Sequence, residues 1–420
     1  MMKKIKRMIK KIGKQYRIIN KCIDSIQAYR RKRYYKKMYQ TMKVDDKLVI
    51  FEAFLGKQFA CSPKALYEAM LRDEYFKDFI FVWVFRNPAQ RRMEFTDHRT
   101  VIVKYNSRRY FRYYARAKYW ITNWRLSDAI IKKDNQILIQ TWHGTPLKKI
   151  GMDLEIEGNA TTSQKKGHAM YLNDAKKYDY FISPSAFCTK VFASAFGLNQ
   201  LNKQNILIET GYPRNDFLFR YTEEDVRNLK KELHLPENKK IILYAPTWRD
   251  NQHQLGVGYT FDASKYINDF LESISDDYMV ILRLHYLVAN QLDLSAFKGK
   301  AIDYSRLDDI NRLYVVSDML VTDYSSVFFD YANLNRPMLF YMYDLDEYQS
   351  NVRDFYIDLK ELPGPIVKNE RELLHAIYHI DEITDKYKER YQKFKQTYNY
   401  LDDKDSGKRV IDICVKGERA

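Results

Sequence analysis

The chain has 420 residues, enough for two domains of ordinary size. Hydrophobic residues make up 45% and charged residues 30%, with only 14 Gly and 10 Pro, so the composition excludes a disordered, collagen-like or low-complexity protein. The formal net charge is +17, and the cysteines at positions 22, 61, 188 and 414 show neither a CxxC pair nor metal-ligand spacing. We therefore expect a globular protein of the reducing cytoplasm rather than a disulfide scaffold or a zinc module.

The positive charge is concentrated at the N-terminus. The first 43 residues contain 16 Lys and Arg and one acid, Asp24, for a net charge of +15, whereas the rest of the chain is nearly neutral. Apolar residues recur there at alternating steps of three and four, which predicts a basic amphipathic helix over residues 1–45. This apolar stripe consists of Ile5, Ile9, Ile12, Tyr16, Ile19, Ile23 and Ile26.

Several partners suit a basic amphipathic helix. Our preferred interpretation is an anionic membrane surface, where apolar burial adds to about 1 kcal/mol of attraction for each Lys or Arg. Packing on protein or pairing with a second copy is the alternative. Nucleic acid is disfavoured, because the neutral remainder of the chain lacks a recognisable binding motif. The longest apolar run, Phe79–Phe85, is too short to span a bilayer, and the N-terminus has no signal-peptide core.

From residue 46 onward, short apolar runs alternate with helical or polar segments. This alternation predicts an α/β fold of two doubly wound, Rossmann-like domains facing a cleft. The first series of predicted strands covers 48–51, 79–85, 100–104, 119–122, 137–140, 180–183 and 206–209. The second series covers 241–244, 279–284, 301–304, 319–322 and 338–341, with helices at 263–275, 308–316, 325–334 and 370–380.

The predicted domain boundaries follow the two series. Residues 46–215 form an N-terminal α/β domain, 216–238 a linker with a polar helix, and 239–400 a C-terminal α/β domain. We expect residues 401–420 to be a C-terminal tail, with the acidic run Asp402, Asp403 and Asp405 in solvent. A clean GxGxxG or Walker sequence is missing from the chain, which disfavours a dinucleotide enzyme and a P-loop NTPase.

The first candidate for chemistry lies directly after the predicted strand 137–140. His143 can take a proton from an acceptor hydroxyl, because imidazole titrates near neutrality. Gly144 follows it and permits close backbone approach. The alternative is a loop histidine with a purely structural hydrogen bond.

Three further segments follow strands of the second series. Arg249 and the pair Arg283 and His285 suit phosphate binding, since guanidinium matches phosphate geometry. Ser325 and Ser326 begin a predicted helix, whose free N–H groups form a candidate phosphate cradle. The alternatives are a surface ion pair, a capped strand end and ordinary N-capping. Four such loops at the carboxyl ends of strands favour a phosphate-handling cleft.

In combination, these motifs resemble the CDP-glycerol glycerophosphotransferases of teichoic acid synthesis, of primase or polymerase type. The matching runs are Trp142–Lys148, Tyr244–Asp250, Leu282–His285 and Thr322–Ser326 followed by Asp330, within a resemblance over roughly residues 45–400. It implies a GT-B-type fold, a peripheral position on the cytoplasmic face of a Gram-positive cell membrane, and transfer of polyol phosphate from a CDP-polyol to an undecaprenyl-diphosphate-linked glycan. CMP is the implied by-product, and neither metal nor cofactor is expected.

The resemblance also implies roles for residues. His143 matches the family's proposed general base on the acceptor side, and His285 the histidine that engages the donor pyrophosphate. We expect the acceptor hydroxyl to attack the phosphorus bonded to glycerol, with charge on the phosphates stabilised from the second half of the chain. The substrate-binding candidates are Gly144, Thr247, Arg249, Arg283, Thr322, Asp323, Ser325, Ser326 and Asp330.

Other functions stay open at this point. One is a CDP-ribitol ribitolphosphotransferase or a capsule polymer transferase with the same chemistry, and a more distant one is a nucleotide-sugar GT-B glycosyltransferase. A protein without catalytic activity that binds membrane or nucleic acid would depend on residues 1–43 alone. The polyol, the choice between primase and polymerase, the acceptor glycan and homo-oligomerisation are left open by the sequence.

Overall fold

The computed structural model describes residues 2–154, 164–247, 253–254, 258–259, 263–284, 294–345 and 355–418. It confirms an α/β protein built from parallel sheets. The chain divides into two compact units. The first comprises Met1–Gln58 and Asp73–Ile139, and the second comprises Phe59–Arg72 and Gln140–Ala420. The predicted boundary at residue 215 is not where these units divide, since the segment that carries His143 belongs to the second unit.

Fifteen strands are described, and we number them in chain order. The first seven are β1 Asp45–Glu52, β2 Ile80–Phe85, β3 Thr100–Lys104, β4 Ala117–Thr122, β5 Ile137–Gln140, β6 Tyr180–Ser183 and β7 Leu207–Glu209. They are followed by β8 Lys240–Ala245, β9 His253–Gln254, β10 Gly258–Tyr259, β11 Tyr278–Leu282, β12 Ala301–Asp303, β13 Met319–Thr322, β14 Met338–Tyr341 and β15 Ile366–Val367.

Twelve α-helices are described in the same residues. The first six are α1 Met2–Thr41, α2 Cys61–Arg72, α3 Arg108–Arg116, α4 Gln164–Ala175, α5 Ala186–Ala195 and α6 Glu223–Glu232. The others are α7 Ala263–Ser273, α8 Asn311–Val316, α9 Val327–Tyr331, α10 Glu370–Tyr378, α11 Ile380–Tyr398 and α12 Ser406–Ile411.

In the larger parallel strand set of each unit, the strand that comes first along the chain lies between strands that come later. In the first unit the order is β3-β2-β1-β4-β5, and β1 runs parallel to β2 and β4. In the second unit β6 pairs in parallel with β7, and a six-stranded parallel sheet has the order β12-β11-β8-β13-β14-β15. Successive strands are added on one side of β8 up to β12 and on its other side from β13 onward, so the strand order reverses at β8. Ligands of open α/β sheets bind beyond the carboxyl ends of strands at such a reversal.

All twelve predicted strands are confirmed, with ends shifted by at most three residues. Nine of them are largely buried, as expected for strands covered on both faces of a parallel sheet, and are recognisable in the sequence as continuous hydrophobic segments, whereas β3, β7 and β12 are only partly buried. The hairpin β9–β10 and the edge strand β15 were not predicted, because two residues each give no periodicity. Helix α11 was also missed, and the predicted helix 325–334 is shorter, ending as α9 with a 3₁₀ turn over Ala332–Leu334.

The last turns of α1 pack on α3 of the same unit. Tyr35 is fully buried, its hydroxyl donates to the Ile131 carbonyl at 2.7 Å, and its ring lies 5.9 Å from that of Phe111. Two residues of the apolar stripe, Ile23 and Ile26, are 45% and 51% exposed. Among the described residues, no helix is both long and apolar enough to cross a membrane.

The prediction of a solvated acidic run near the C-terminus is wrong for Asp402. This carboxylate is buried and accepts the Tyr212 N–H at 2.8 Å. Its other oxygen accepts the side-chain amides of Asn215, Asn333 and Asn399 at 2.7, 3.0 and 3.5 Å. Burial raises its pKa to about 6. The sequence shows the charge of residue 402 but not its burial, because the Asn215 and Asn333 amides and the Tyr212 N–H come from distant segments.

A buried carboxyl group also ends β1 in the first unit. Glu52 is fully buried, and the Tyr114 hydroxyl donates to it at 2.9 Å. Burial raises the pKa of Glu52 to about 7, whereas in the unfolded chain it titrates near its ordinary value. As pH rises from about 4.5 to about 7, the unfolded chain releases this proton while the folded one retains it. The contribution of Glu52 to stability is therefore present at low pH and is lost across this window.

The Glu52→Gln variant tests this linkage, because glutamine keeps an oxygen for Tyr114 but carries no charge. We expect the variant to gain stability relative to the wild type between pH 5 and pH 8, by on the order of 2 kcal/mol. Thermal melting at several pH values measures the difference. Replacing the exposed Glu237 with glutamine is the control. Parallel melting curves for Glu52→Gln and wild type across the window would contradict the assignment.

Candidate active site

A cavity of about 240 Å³ lies within the second unit, beyond the carboxyl ends of its strands. One wall is the loop after β5, and the facing wall comes from the loops after β8 and β13. The cavity brings together five of the predicted site residues: His143, Gly144, Thr247, Ser325 and Ser326. It is further lined by Trp142, Thr145, Pro146, Leu147, Lys148, Ile150 and Tyr324.

His143 is held in this loop by the residue before it. Trp142 has a positive φ of 50°, a conformation that costs a non-glycine residue energy and that clusters at functional sites. Its N–H donates to Gln140 Oε1 at 2.9 Å, and its ring packs edge-on against Phe196 at 4.7 Å. The imidazole of His143 lies 3.9 Å from the Trp142 ring, centroid to centroid, and is half-buried. The histidine is therefore anchored on an aromatic platform at the cavity wall.

Gly144 brings the loop after β5 close to the loop after β13. A Cβ atom at this buried position would lie 3.3 Å from Ser326 Oγ and 3.7 Å from an Arg214 terminal nitrogen. Contacts of that kind leave little room for a larger side chain. Glycine thus lets the His143 segment approach the Ser326 hydroxyl.

The two serines do not act as ordinary helix caps. Ser326 occupies the N-cap position of α9, yet its side chain caps no backbone N–H. Within the described part of the chain, neither the Ser325 nor the Ser326 hydroxyl has a hydrogen-bond partner in the protein. Both side chains are half-buried and line the cavity. Their hydroxyls are therefore available to donate to a bound anion.

Thr322 and Asp323 lie behind the cavity instead of lining it. Both are almost fully buried. Thr322 Oγ1 donates to the Ala245 carbonyl at 2.7 Å, and Asp323 accepts the Thr247 N–H at 2.7 Å. These bonds fix the end of β8 against the end of β13, and so set the position of Thr247 in the cavity wall.

Arg283 and Asp330 also contact protein rather than the cavity. One Arg283 terminal nitrogen donates to the carbonyls of Tyr304, at 2.7 Å, and Leu307, and burial lowers the pKa of this guanidinium. Asp330 Oδ1 accepts Arg214 at 2.7 Å and the Asn215 amide at 3.1 Å. The predicted residues His285 and Arg249 lie outside the described residues.

Arg214 contacts the His143 segment of the cavity wall and was not identified from the sequence. The sequence Gly211–Asn215 is typical of a turn or loop between regular elements, and an arginine in such a segment is usually exposed. In the structure its guanidinium is nearly enclosed, with 11% of the side chain exposed, and donates to the His143 carbonyl. The rigid Pro213 beside a charged residue was the one signal in the sequence that could have drawn attention to Arg214. The burial of Arg214 depends on segments far away in the chain.

Comparison with known proteins identifies the family to which the chain belongs. A family model described as CDP-glycerol:poly(glycerophosphate) glycerophosphotransferase matches residues 34–416. A teichoic acid poly(glycerol phosphate) polymerase of Bacillus subtilis (strain 168) is 40% identical over 420 residues, which cover 99% of this chain and 54% of the relative. The chain therefore spans about half the length of that polymerase.

Two further comparisons cover nearly the whole of the similar protein. A teichoic acid glycerol-phosphate transferase of Staphylococcus aureus (strain NCTC 8325 / PS 47) is 38% identical over 387 residues, covering 90% of this chain and 97% of the relative. The solved structure of the wall teichoic acid polymerase TagF superposes with a TM-score of 0.83 at 34% identity, covering 96% of this chain and 97% of that one. The chain belongs to the CDP-glycerol:poly(glycerophosphate) glycerophosphotransferase family.

Proposed function

We propose that this chain transfers glycerol phosphate from CDP-glycerol to a lipid-linked acceptor in teichoic acid synthesis and releases CMP. The observation that carries the proposal is the cavity lined by His143 and by Ser325 and Ser326, whose hydroxyls have no hydrogen-bond partner among the described residues. The names of the similar proteins support it, as does a TagF variant whose structure was solved after soaking with CDPG. Metal and cofactor have no part in the proposed reaction.

In the proposed mechanism, His143 removes the proton from the acceptor hydroxyl. The oxygen then attacks the phosphorus bonded to glycerol, and the bond from that phosphorus to the bridging oxygen of the diphosphate breaks. CMP leaves with the electron pair, and the proton stays on the imidazole until solvent takes it. Ser325 and Ser326 donate to donor phosphate oxygens, and Arg249 and His285 bind the same diphosphate. This requires the reacting atoms to be held in line.

The proposal is tested by nucleotide release from the purified chain, measured as CMP for the CDP-polyols and as UDP for the UDP-sugar. CDP-glycerol, CDP-ribitol and a UDP-sugar are each supplied with a lipid-linked disaccharide, with or without one glycerol phosphate unit already attached. We expect acceptor-dependent CMP from CDP-glycerol. CMP release from CDP-ribitol alone would mean that the transferred polyol is ribitol and not glycerol. Reaction with the UDP-sugar alone would contradict the proposed phosphotransferase activity. Dependence on the attached unit separates elongation from priming.

The proposed architecture is a GT-B-type arrangement of two Rossmann-like domains, with the acceptor side N-terminal and the CDP-polyol side C-terminal. Support comes from the two sets of parallel strands and from the likeness to TagF. In each set, the first strand lies between later ones. Such an order is typical of α/β sheets that bind ligands at the carboxyl ends of their strands.

The proposed location is the cytoplasmic face of the membrane, with α1 as the contact. Its support is the net charge of +15 in residues 1–43 and the exposure of Ile23 and Ile26, whereas Tyr35 marks where packing on the protein begins. A basic helix with an exposed apolar face gains both electrostatic and hydrophobic energy on an anionic leaflet.

Removal of residues 2–29 tests this contact, since the deletion ends before Tyr35. It removes nine Lys and Arg, and we expect affinity for vesicles containing phosphatidylserine to fall at least tenfold, at about 1 kcal/mol per basic residue. Sedimentation with vesicles measures it, and phosphatidylcholine vesicles are the control. CMP release with a water-soluble acceptor should be retained. Undiminished binding by the truncated chain would contradict this location for the contact.

A further inference from the structure

Arg214 joins the two walls of the cavity from behind. One terminal nitrogen donates to the His143 carbonyl, and the other donates to Asp330 Oδ1 at 2.7 Å. The guanidinium carbon lies 4.6 Å from the centre of the Tyr212 ring, close enough for a cation–π contact. A single planar group therefore bonds the loop that carries the proposed base and the helix that follows the two serines.

Asp330 and Arg214 are themselves fixed by buried amides. Asp330 belongs to α9, four residues after Ser326, and also accepts the Asn215 amide at 3.1 Å. The same Asn215 amide donates to Asp402 at 2.7 Å, and the Asn311 amide donates to the backbone carbonyl of Arg214. The ion pair is nearly enclosed, with 11% and 7% of the two side chains exposed. Its geometry is thus determined from several directions.

We propose that Arg214 is a positioning residue, which holds the His143 loop and the Ser325–Ser326 loop at the separation that the transfer reaction requires. This rests on the proposed function. Acceptor and donor must meet within a fraction of an ångström, and small displacements of a catalytic group cost rate. The arginine fork donates in two directions at once, which a lysine ammonium on a flexible stem does not reproduce. Arg214 acts through the backbone of His143 and contacts no reacting atom.

The test separates positioning from stability. Arg214→Met alone leaves Asp330 as a buried, unpaired charge and should lower Tm by about 5 °C or more. The double variant Arg214→Met with Asp330→Leu removes both charges, and apolar replacement of a buried pair is often neutral for stability. We expect the double variant to recover most of the Tm, while kcat for CMP release stays at least about tenfold below wild type. KM for CDP-glycerol should change less than about threefold.

Hydrogen exchange provides a readout that does not need activity. The amides of residues 141–148 should exchange faster in the double variant than in wild type, because the His143 carbonyl has lost its donor. The matched control is Lys416→Met with Asp412→Leu, another pair with largely covered side chains, at 3.2 Å. This control should keep both kcat and the exchange rates of residues 141–148.

Several outcomes decide the proposal. Recovery of kcat together with Tm in the double variant would overturn it, since a merely structural pair predicts that result. If the double variant does not fold, the Arg214→Lys variant is used instead, because lysine keeps the charge but has a single side-chain nitrogen. A wild-type kcat in Arg214→Lys would overturn the positioning role. A wild-type chain that releases no CMP contradicts the proposed function instead, and hydrogen exchange of residues 141–148 still tests the positioning.

Discussion

The His143→Ala variant is expected to release CMP about 100 to 10,000 times more slowly than the wild type, the usual contribution of a positioned general base. KM for CDP-glycerol should stay within about threefold, because the proposed donor contacts come from other residues. Initial rates at saturating acceptor measure both constants. The loss should appear in kcat, since alanine removes the group that accepts the acceptor's proton and leaves the loop backbone in place.

The matched control is His98→Ala, at an exposed histidine of the first unit. It should retain wild-type rates. Wild-type kcat in His143→Ala would remove this residue from the mechanism. A rise in KM for CDP-glycerol without a loss of kcat would mean that His143 binds the donor instead of deprotonating the acceptor.

Arg249→Ala is expected to weaken binding of CDP-glycerol more than it lowers kcat.

The second large effect is expected for Asp402→Ala, on stability. The substitution leaves the buried Tyr212 N–H and the Asn333 side-chain amide without their acceptor, whereas the Asn215 and Asn399 amides keep other acceptors. Each buried donor without a partner costs about 1–3 kcal/mol, so we expect a loss on the order of 3 to 5 kcal/mol. Thermal or denaturant unfolding of the full chain measures it.

Asp405→Ala is the matched control, because that carboxylate is 45% exposed and belongs to the same acidic run. It should change the stability by less than about 1 kcal/mol. Equal, small effects of both substitutions would mean that the acidic run is solvated after all. A large effect of Asp402 alone would establish that the C-terminal segment is part of the folded second unit.

The strands were predictable because their signal is local. Val49, Ile242 and Leu320 lie in apolar runs that are buried on both faces of parallel sheets, so hydrophobicity along the chain reports burial directly. The order of strands within each sheet is not local. Whether β8 lies between β11 and β13 depends on pairing between segments separated by tens of residues, and no periodicity encodes it.

The candidate site was predictable in part, for a similar reason. His143, Thr247, Ser325 and Ser326 follow strands, and the carboxyl ends of neighbouring parallel strands meet at one edge. Thr322 ends β13 and Asp323 follows it, yet their side chains bond to backbone groups at the end of β8 and in the loop after it. Position after a strand identifies the edge but not the direction of a side chain.

The amino-acid sequence by itself determined the fold class, the N-terminal charge and the residue types that meet at the proposed site, because these depend on composition and short-range pattern. Tertiary structure alone decided that Arg214 bonds the His143 loop to Asp330, and that Asp402 is buried among distant amides. A charged side chain reads as exposed unless its partners are known. Those partners are brought to it only by the packing of segments remote in the chain.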